Sequence, residues 1–274
     1  MVLPGCCQRR LANPESKRLR GIHVNRESFG QALERVLRDE RAHNKGIGTL
    51  REKALHAVLK QYLEPFEDSH EVKIGSYVAD IVGENGIVEI QTRGFNQLRK
   101  KLSTFLEVAS VTVVYPIAHT KWLVWIDPET GEATNKRKSP KRGTAYDAFY
   151  ELYKIKMLLN HPNLRLHLIL VDMEEYRHLN GWSHDRKRGS SRYERIPTAL
   201  VEEVIIGTSE DYYKLIPSGL PEQFTSRDFG QASGLSMNGS QTALNVLHHM
   251  EAARRVGKQG KLYLYETVKT NDKG

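Results

Sequence analysis

The chain lacks several features that would place it in a particular class of protein. It has only two cysteines, Cys6 and Cys7, and neighbouring cysteines provide neither a disulfide framework nor a zinc cluster. No apolar run approaches the length of a membrane-spanning helix, and residues 1–20 contain no continuous apolar segment of the kind found in a secretory signal. These absences predict a cytoplasmic protein in a reducing compartment, without a membrane partner.

Acidic residues are outnumbered, since 41 Lys and Arg stand against 33 Asp and Glu and give a net charge of +8. Such a balance suits a polyanionic partner, although charge alone fits an ordinary basic protein equally well. The sequence has no glycine-rich phosphate loop, and its 11 histidines show no metal-ligand spacing. His248 and His249 point about 100° apart on a helix, so they cannot easily share an ion.

Hydrophobic periodicity predicts an α/β protein in three parts. Residues 1–45 form an N-terminal extension with one helix over 26–43, residues 46–216 form the main domain, and residues 217–274 follow a proline-marked linker as a small domain. A polar, basic stretch over 181–195 is expected to be a loop. The predicted elements of the main domain are helices over 49–63, 95–108 and 145–159, strands over 70–74, 77–82, 87–92, 111–115, 122–126 and 164–170, and an apolar run over 200–206.

The hairpin over 77–92 holds two carboxylates in apolar surroundings. Asp80 lies in Tyr-Val-Ala-Asp-Ile-Val and Glu89 in Ile-Val-Glu-Ile, and such apolar runs are typical of strands covered on both faces. If the Asn-Gly pair at 85–86 forms the centre of the turn, Asp80 faces Gln91, and all three polar side chains share one face. A four-residue loop would place Asp80 directly opposite Glu89, whereas a three-residue loop would separate them.

Asp80 and Glu89 would then lie close together, and two unpaired carboxylates in that setting repel each other until one takes up a proton. A divalent cation removes the conflict, because Mg²⁺ is held by one or two carboxylates, a carbonyl and waters. The alternative is that the acids lie at a wet edge of the sheet or pair with Arg93 or a nearby lysine. The pattern predicts a site for Mg²⁺ or Mn²⁺.

The order of these elements resembles the PD-(D/E)XK nuclease superfamily. The matching parts, over about residues 48–115, are a helix carrying Glu52, then Asp80 on one strand, Glu89 and Ile90 on the next, and a following helix. The resemblance implies a restriction-endonuclease-like mixed sheet flanked by helices, with Asp80, Glu89 and the Ile90 carbonyl as metal ligands. It also implies hydrolysis of phosphodiester bonds, in which the ion polarises the scissile phosphate and lowers the pKa of a bound water.

Gln91 stands where the superfamily usually has lysine, which removes the cation that would orient the attacking water. Lys101, beside the apolar stripe of its helix, and Arg93, which continues the strand alternation, are candidates to replace it. Either could equally contact a phosphate or be a solvated charge. Glu52 has two interpretations: it assists the metal site, as a Glu on this helix often does in the superfamily, or it completes a capping box with Thr49. The predicted catalytic residues are Asp80, Glu89, Gln91, Glu52 and Lys101.

Residues from about 220 onward predict a second unit that contacts DNA. A short helix from Ser226 to about 233, a glycine-containing turn, a longer helix over 236–253 and a basic hairpin resemble a winged helix-turn-helix domain. Polar residues at the start of the second helix suit major-groove readout, and the hairpin lysines suit phosphate contact; the alternative is a winged domain for protein contacts. The predicted DNA-binding residues are Asn238, Gln241, Thr242, Asn245, Arg254, Arg255, Lys258 and Lys261.

Together these features predict a two-domain, Mg²⁺-dependent endonuclease or phosphodiesterase acting on DNA, with RNA as substrate and a homodimeric state left open. One competing hypothesis is a non-catalytic DNA-binding regulator in which Gln91 reflects a lost active site. Another is a scaffold that uses both domains for protein contacts. The basic run over 136–142 is either a solvated loop or a grip on a nucleic-acid backbone through salt-sensitive contacts.

Overall fold

The computed structural model describes residues 25–42, 54–127, 129–178 and 191–268. In these ranges the protein is mixed α/β, with a large mixed sheet flanked by helices and a small second sheet. The helices are α1 (Arg26–Ala42), α2 (Ala54–Leu63), α3 (Phe95–Leu106), α4 (Phe149–Leu152), α5 (Ser226–Ser233) and α6 (Met237–His249). The strands are β1 (His70–Ile74), β2 (Tyr77–Gly83), β3 (Gly86–Ile90), β4 (Val111–Ile126), β5 (Arg137–Lys138), β6 (Leu164–His178), β7 (Ser191–Ile206), β8 (Gln223–Phe224), β9 (Ala253–Gln259) and β10 (Leu262–Thr267).

The large sheet has the order β1-β2-β3-β4-β6-β7 in the described part of the chain, and β5 also pairs with β4. Strands β1, β2 and β3 are antiparallel neighbours, β3, β4 and β6 run parallel, and β7 returns antiparallel to β6. The small sheet has the order β8-β10-β9. Because β3 is much shorter than β4, β6 and β7, the three long strands extend past the end of β3.

The turn between β2 and β3 differs from the Asn-Gly prediction. Gly83 pairs with Gly86, so Glu84 and Asn85 are the central residues, and the register that places Asp80 opposite Gln91 is wrong by two residues. The register is the one given by the four-residue loop. Gly86 explains the shift: its φ is +104°, and a Cβ there would lie 2.3 Å from the Ser110 carbonyl oxygen, so only glycine fits this position.

Strand β4 is continuous where two strands, over 111–115 and 122–126, were predicted. Pro116 separates the two predicted strands but does not break β4. In the parallel pattern, the amide of Gln91 donates to the Val114 carbonyl at 2.9 Å, and the next bond to β3 would need the amide of residue 116. Proline has no amide hydrogen, so Pro116 ends the pairing with β3 and leaves β4 free to continue beside β6.

Hydrophobic clusters cover both faces of the large sheet. Alternate residues of β6 enter different clusters, Leu168 on one side and Ile169 on the other, as the two-residue period of a strand requires. Leu59 of α2 packs in the cluster of Ile169, together with α1. Leu102 of α3 packs in the cluster of Leu168. The sheet is therefore a layer between α1 and α2 on one side and α3 on the other.

Several other elements differ from the sequence-based predictions. The helix predicted over 145–159 is a short α4 between two 3-10 segments, and residues 191–195 belong to β7 rather than to a loop. Helix α6 ends at His249 and does not reach the predicted end at residue 253, where the strand β9 begins. The cap of α5 is Thr225, not Ser226. The predicted helix start at residue 49 and the residues over 179–190 lie outside the described residues.

The C-terminal unit, residues 223–268, shares its core with the large sheet. One hydrophobic cluster contains Phe149 and Leu152 of α4 together with Phe229 of α5 and Leu244 of α6. Leu168 of β6 belongs to the same cluster. The C-terminal unit is thus packed on the main sheet through α4.

Candidate functional site

Asp80 and Glu89 lie where β2 and β3 separate. The paired positions of the hairpin end at Ile81 and Val88, which directly follow Asp80 and directly precede Glu89 in the chain. There the carboxylate of Asp80 takes the place of a backbone acceptor, because Oδ2 accepts a hydrogen bond from the Ile90 amide at 2.7 Å. The Asp80 amide donates to Glu89 Oε1 at 3.4 Å. The two acids are therefore neighbours that belong to different strands.

Helices on opposite faces of the sheet each supply one partner to this acidic pair. His56 of α2 has its Nε2 3.3 Å from Asp80 Oδ2. Lys101 of α3 donates from Nζ to Glu89 Oε2 at 2.7 Å. Four side chains from two strands and two helices thus form one cluster, which we call the carboxylate site.

Burial disfavours the charged forms of the two acids in the carboxylate site. Glu89 is 2% exposed, and burial together with the neighbouring charge of Asp80 raises the pKa of Glu89 to about 7, even though Lys101 acts in the opposite direction. Burial also acts to raise the pKa of Asp80, but the hydrogen bond and charge of His56 outweigh it, so that this pKa is lowered. Lys101 does not fully offset the effects of burial and of Asp80 on Glu89.

The donor set fits a hard divalent cation. Two carboxylates from adjacent strands are what Mg²⁺ uses when waters and a substrate phosphate complete its shell. No group of three or more His, Cys, Asp or Glu side chains arranged to hold a metal occurs among the described residues, so further ligands would have to come from backbone, water or substrate. The Ile90 carbonyl is the backbone group adjacent to Glu89.

The side-chain amide of Gln91 is engaged by its own stretch of backbone. Its Nε2 donates to the carbonyl of Arg93, two residues along the chain, at 2.5 Å. The cation that approaches Glu89 is Lys101, from the following helix. In the described part of the chain, the position next to the acids is therefore held by a helix lysine instead of a strand lysine.

A buried acid fixes the start of the helix that carries Lys101. Gly94, in the left-handed region at φ +72°, has no side chain to cap α3. The Phe95 amide donates instead to Glu151 Oε2 at 2.8 Å, and Lys154 pairs with the other oxygen of Glu151 at 2.6 Å. Glu151 lies 56 residues away from Phe95 in the chain, so no local pattern identifies it as a cap.

His56 is the residue of the carboxylate site that the sequence argument missed. Sequence spacing predicts an ordinary histidine here, because no second ligand stands at chelating spacing. The sequence does contain a signal, since in the helix predicted over 49–63 His56 follows Glu52 by four residues and would share its face. Glu52 itself lies outside the described residues, as does the Thr49 of its predicted capping box.

The predicted DNA-reading face of α6 is divided between exposed and engaged residues. Asn238 and Gln241 are exposed. Thr242 is half-buried and donates its hydroxyl to the Asn238 carbonyl at 2.9 Å. Asn245 accepts a hydrogen bond from Lys156 Nζ at 2.9 Å, so it faces the main domain. The exposed part of the face is the first half of α6.

The β9–β10 hairpin carries the other predicted DNA-binding residues on an exposed strand. The guanidinium of Arg255 lies 4.2 Å from the ring centroid of Tyr263, and Lys258 Nζ lies 5.3 Å from the same ring. Arg254 pairs with Glu266 across the hairpin, and Lys261 is exposed at the tip. The hairpin therefore presents cations around a half-exposed tyrosine.

The basic run over 136–142 is partly a strand, because Arg137 and Lys138 pair with β4. Residues 137–142, with His119 and Thr120, line a cavity of about 430 Å³. His119 Nδ1 lies 2.9 Å from Asp172 Oδ1, and Arg142 Nε donates to His119 Nε2 at 2.7 Å. Both nitrogens of this histidine are thus occupied, which makes the cluster a brace between the strands.

Comparison with known proteins gives relatives without an assigned activity. A family model described as "Domain of unknown function (DUF8091)" matches residues 53–207. An uncharacterized protein of Treponema pallidum (strain Nichols) is 30% identical over 234 residues, which cover 82% of this chain and 89% of that protein. No solved structure matches. The family match spans the carboxylate site and the long strands but stops before the C-terminal unit. No helix in the described residues is long and apolar enough to cross a membrane.

Proposed function

We propose that this chain, which belongs to the family described as "Domain of unknown function (DUF8091)", is a metal-dependent nuclease that hydrolyses phosphodiester bonds. The main domain would have a restriction-endonuclease-like arrangement. The C-terminal unit would be a winged helix that contacts DNA. The net charge of +8 suits a polyanionic substrate of this kind.

One observation carries the proposal: the buried acids Asp80 and Glu89 meet where two strands separate. Lys101 and His56 each contact one of the acids, yet burial and the charge of Asp80 still raise the pKa of Glu89 to about 7. This residual repulsion favours a more highly charged cation. A divalent ion held by these carboxylates would polarise the scissile phosphate and lower the pKa of a bound water.

The protein's own side chains would then have separate tasks. Asp80 and Glu89 would hold the ion through their carboxylates. Lys101, which donates to Glu89, would lie close enough to neutralise charge that develops on the phosphate. His56 holds the Asp80 carboxylate in orientation, as partners of metal ligands commonly do. Glu151 maintains the position of α3 and therefore of Lys101.

The C-terminal unit supports the DNA-binding part of the proposal. Helix α5 begins with a capping box of Thr225 and Asp228, and it ends at Gly234 in the left-handed region. Helix α6 follows, and the β9–β10 hairpin projects its cations beyond the core. This order of helix, tight turn, helix and hairpin is what a winged helix-turn-helix uses to contact a groove and a backbone.

The test is cleavage of labelled single- and double-stranded DNA with Mg²⁺ or Mn²⁺, beside metal binding measured by calorimetry. Asp80→Asn and Glu89→Gln should each abolish cleavage and weaken metal binding. Lys101→Met should abolish cleavage while metal still binds, because it removes a competing cation and no ligand. Lys100→Met is the matched control, since this neighbouring lysine is exposed and makes no described contact with the acids; it should leave both properties unchanged.

Cleavage that survives Asp80→Asn or Glu89→Gln would refute the site. The non-catalytic alternative is favoured by the orientation of Gln91, whose amide bonds its own strand end and not the acids. Salt-dependent DNA binding without cleavage in either metal would support that alternative. Absence of both binding and cleavage would favour the scaffold hypothesis.

A further inference from the structure

A second charged cluster lies on the long strands beyond the end of β3. Its centre is Glu175 of β6, whose side chain is 0% exposed. Four cations surround it, and we call these five residues the Glu175 cluster. Lys121 Nζ of β4 and Arg195 Nε of β7 each lie 3.2 Å from Oε2, Arg192 Nε lies 3.4 Å from it, and Arg177 Nε lies 2.7 Å from Oε1.

The Glu175 cluster has three more positive than negative charges. Within the described ranges, none of the four cations pairs with any other carboxylate. Burial, and after it repulsion from Arg195, lower the pKa of Arg192, as expected where cations lie close together. The side chains of the cations are 21–36% exposed, so water and a ligand reach them although Glu175 is sealed. A buried carboxylate needs far fewer partners than this for neutralisation alone.

The Glu175 cluster adjoins the strand that leads out of the carboxylate site. Lys121 and Arg195 line a cavity of about 270 Å³ together with Thr92 and with Lys141 and Asp147, which pair with each other at 3.5 Å. Thr92 is three residues after Glu89, at the point where β3 has ended and β4 continues. The nearby Arg93 contributes to the electrostatic repulsion on Arg192. The cations therefore begin where the carboxylate site ends.

We propose that the Glu175 cluster binds the phosphodiester backbone of a nucleic acid whose scissile bond lies at the carboxylate site. Glu175 holds the cations in a fixed array, and the surplus charge is met by the phosphates. Guanidinium groups suit this task because they form paired hydrogen bonds with phosphate oxygens. The choice of nucleic acid over another anion rests on the proposed function.

The test measures binding without metal, so that it does not depend on cleavage. Fluorescent DNA and RNA oligonucleotides, single- and double-stranded, are titrated in EDTA at several salt concentrations. The double variant Lys121→Gln with Arg195→Gln leaves Glu175 two cations and therefore keeps its neutralisation. The control is Arg38→Gln with Lys73→Gln, which removes the same net charge from two exposed positions.

We expect the cluster variant to raise Kd by about tenfold or more, as loss of two charge-assisted contacts implies. The slope of log affinity against log salt should become shallower by roughly 1.8 for duplex or about 1.4 for single strands. The control should change Kd little. Equal effects of the two double variants, or no binding of any oligonucleotide by the native chain, would overturn the proposal. Binding that Asp80→Asn leaves intact would separate this result from failure of the nuclease proposal.

Discussion

Replacing Glu175 by glutamine should destabilise the protein although it changes only one oxygen to nitrogen. The substitution leaves the four surrounding cations without their counter-charge. Removal of one partner from a buried ion pair typically costs about 3–5 kcal/mol. The cations are partly exposed, which lets water screen their repulsion, so we expect about 3 kcal/mol, at the low end of that range.

The loss should also depend on pH with a defined sign. The cation array, Lys121 foremost, outweighs burial and lowers the pKa of Glu175 from 4.5 to about 2. A carboxylate whose folded pKa is depressed contributes stability that is fully present above about pH 4.5 and is lost as the pH falls through about 2. The stability difference between the native chain and Glu175→Gln should therefore be largest near pH 7 and shrink steadily below pH 4.5.

Urea unfolding at pH 7, 4 and 2.5 measures this difference from the midpoint and the slope. Glu67→Gln is the control, because the Arg35–Glu67 pair is exposed on both sides and such pairs contribute at most about 1 kcal/mol. Adding Arg195→Gln to Glu175→Gln should recover part of the loss by relieving repulsion. A difference that stays the same down to pH 2.5, or a second substitution that only adds to the loss, would refute the electrostatic reasoning.

Three further perturbations test other parts of the structure. His56→Ala should lower Mg²⁺ affinity by about 10–100-fold in calorimetry, since it frees the Asp80 carboxylate; unchanged affinity would remove the positioning role. Gly239→Ala should cost about 1–3 kcal/mol in thermal unfolding, because a Cβ there would lie 2.3 Å from the Tyr150 hydroxyl. Adding Tyr150→Phe should recover part of this loss, and no recovery would argue against the contact. Gly86→Ala should cost about 3 kcal/mol through its positive φ and crowding, and a wild-type melting temperature would contradict the observed turn.

Local patterns predict the elements of the hairpin better than they predict its register. Alternation and the Asn-Gly pair correctly indicate two strands around Asp80 and Glu89. The actual turn is decided by Gly86, which must approach the Ser110 carbonyl at the start of β4. That constraint comes from a different strand, so the hairpin sequence alone cannot contain it.

Of the partners of the two acids, Lys101 follows from the local sequence pattern and His56 does not. The helical period of α3 places Lys101 beside the apolar stripe and predicts that it faces the sheet, where it contacts Glu89. His56 reaches Asp80 because α2 crosses the opposite face at that point, and packing of this kind is not encoded in spacing. The DNA-reading function of α6 is still a prediction, with Asn245 engaged by the main domain.

Sequence patterns misjudge charged residues whose partners lie on another strand. Arg192 and Arg195 make residues 181–195 look like a solvated loop, because arginine is seldom inside a protein without a partner. Their partner, Glu175, lies across the strand interface on β6. Only the pairing of β6 with β7 brings these residues together, so a window along the chain shows a basic stretch where the fold has cations paired with a buried carboxylate.

The shared core of the C-terminal unit and the large sheet has a geometric consequence. Phe149 and Phe229 pack as one cluster, so α6 and the β9–β10 hairpin cannot swing relative to the carboxylate site as they would on a linker. A nucleic acid that contacts the C-terminal unit and the carboxylate site together would therefore be held at two points a fixed distance apart. Products of such an enzyme would end at a constant offset from the gripped segment, and fragment lengths would report a dimension of the fold.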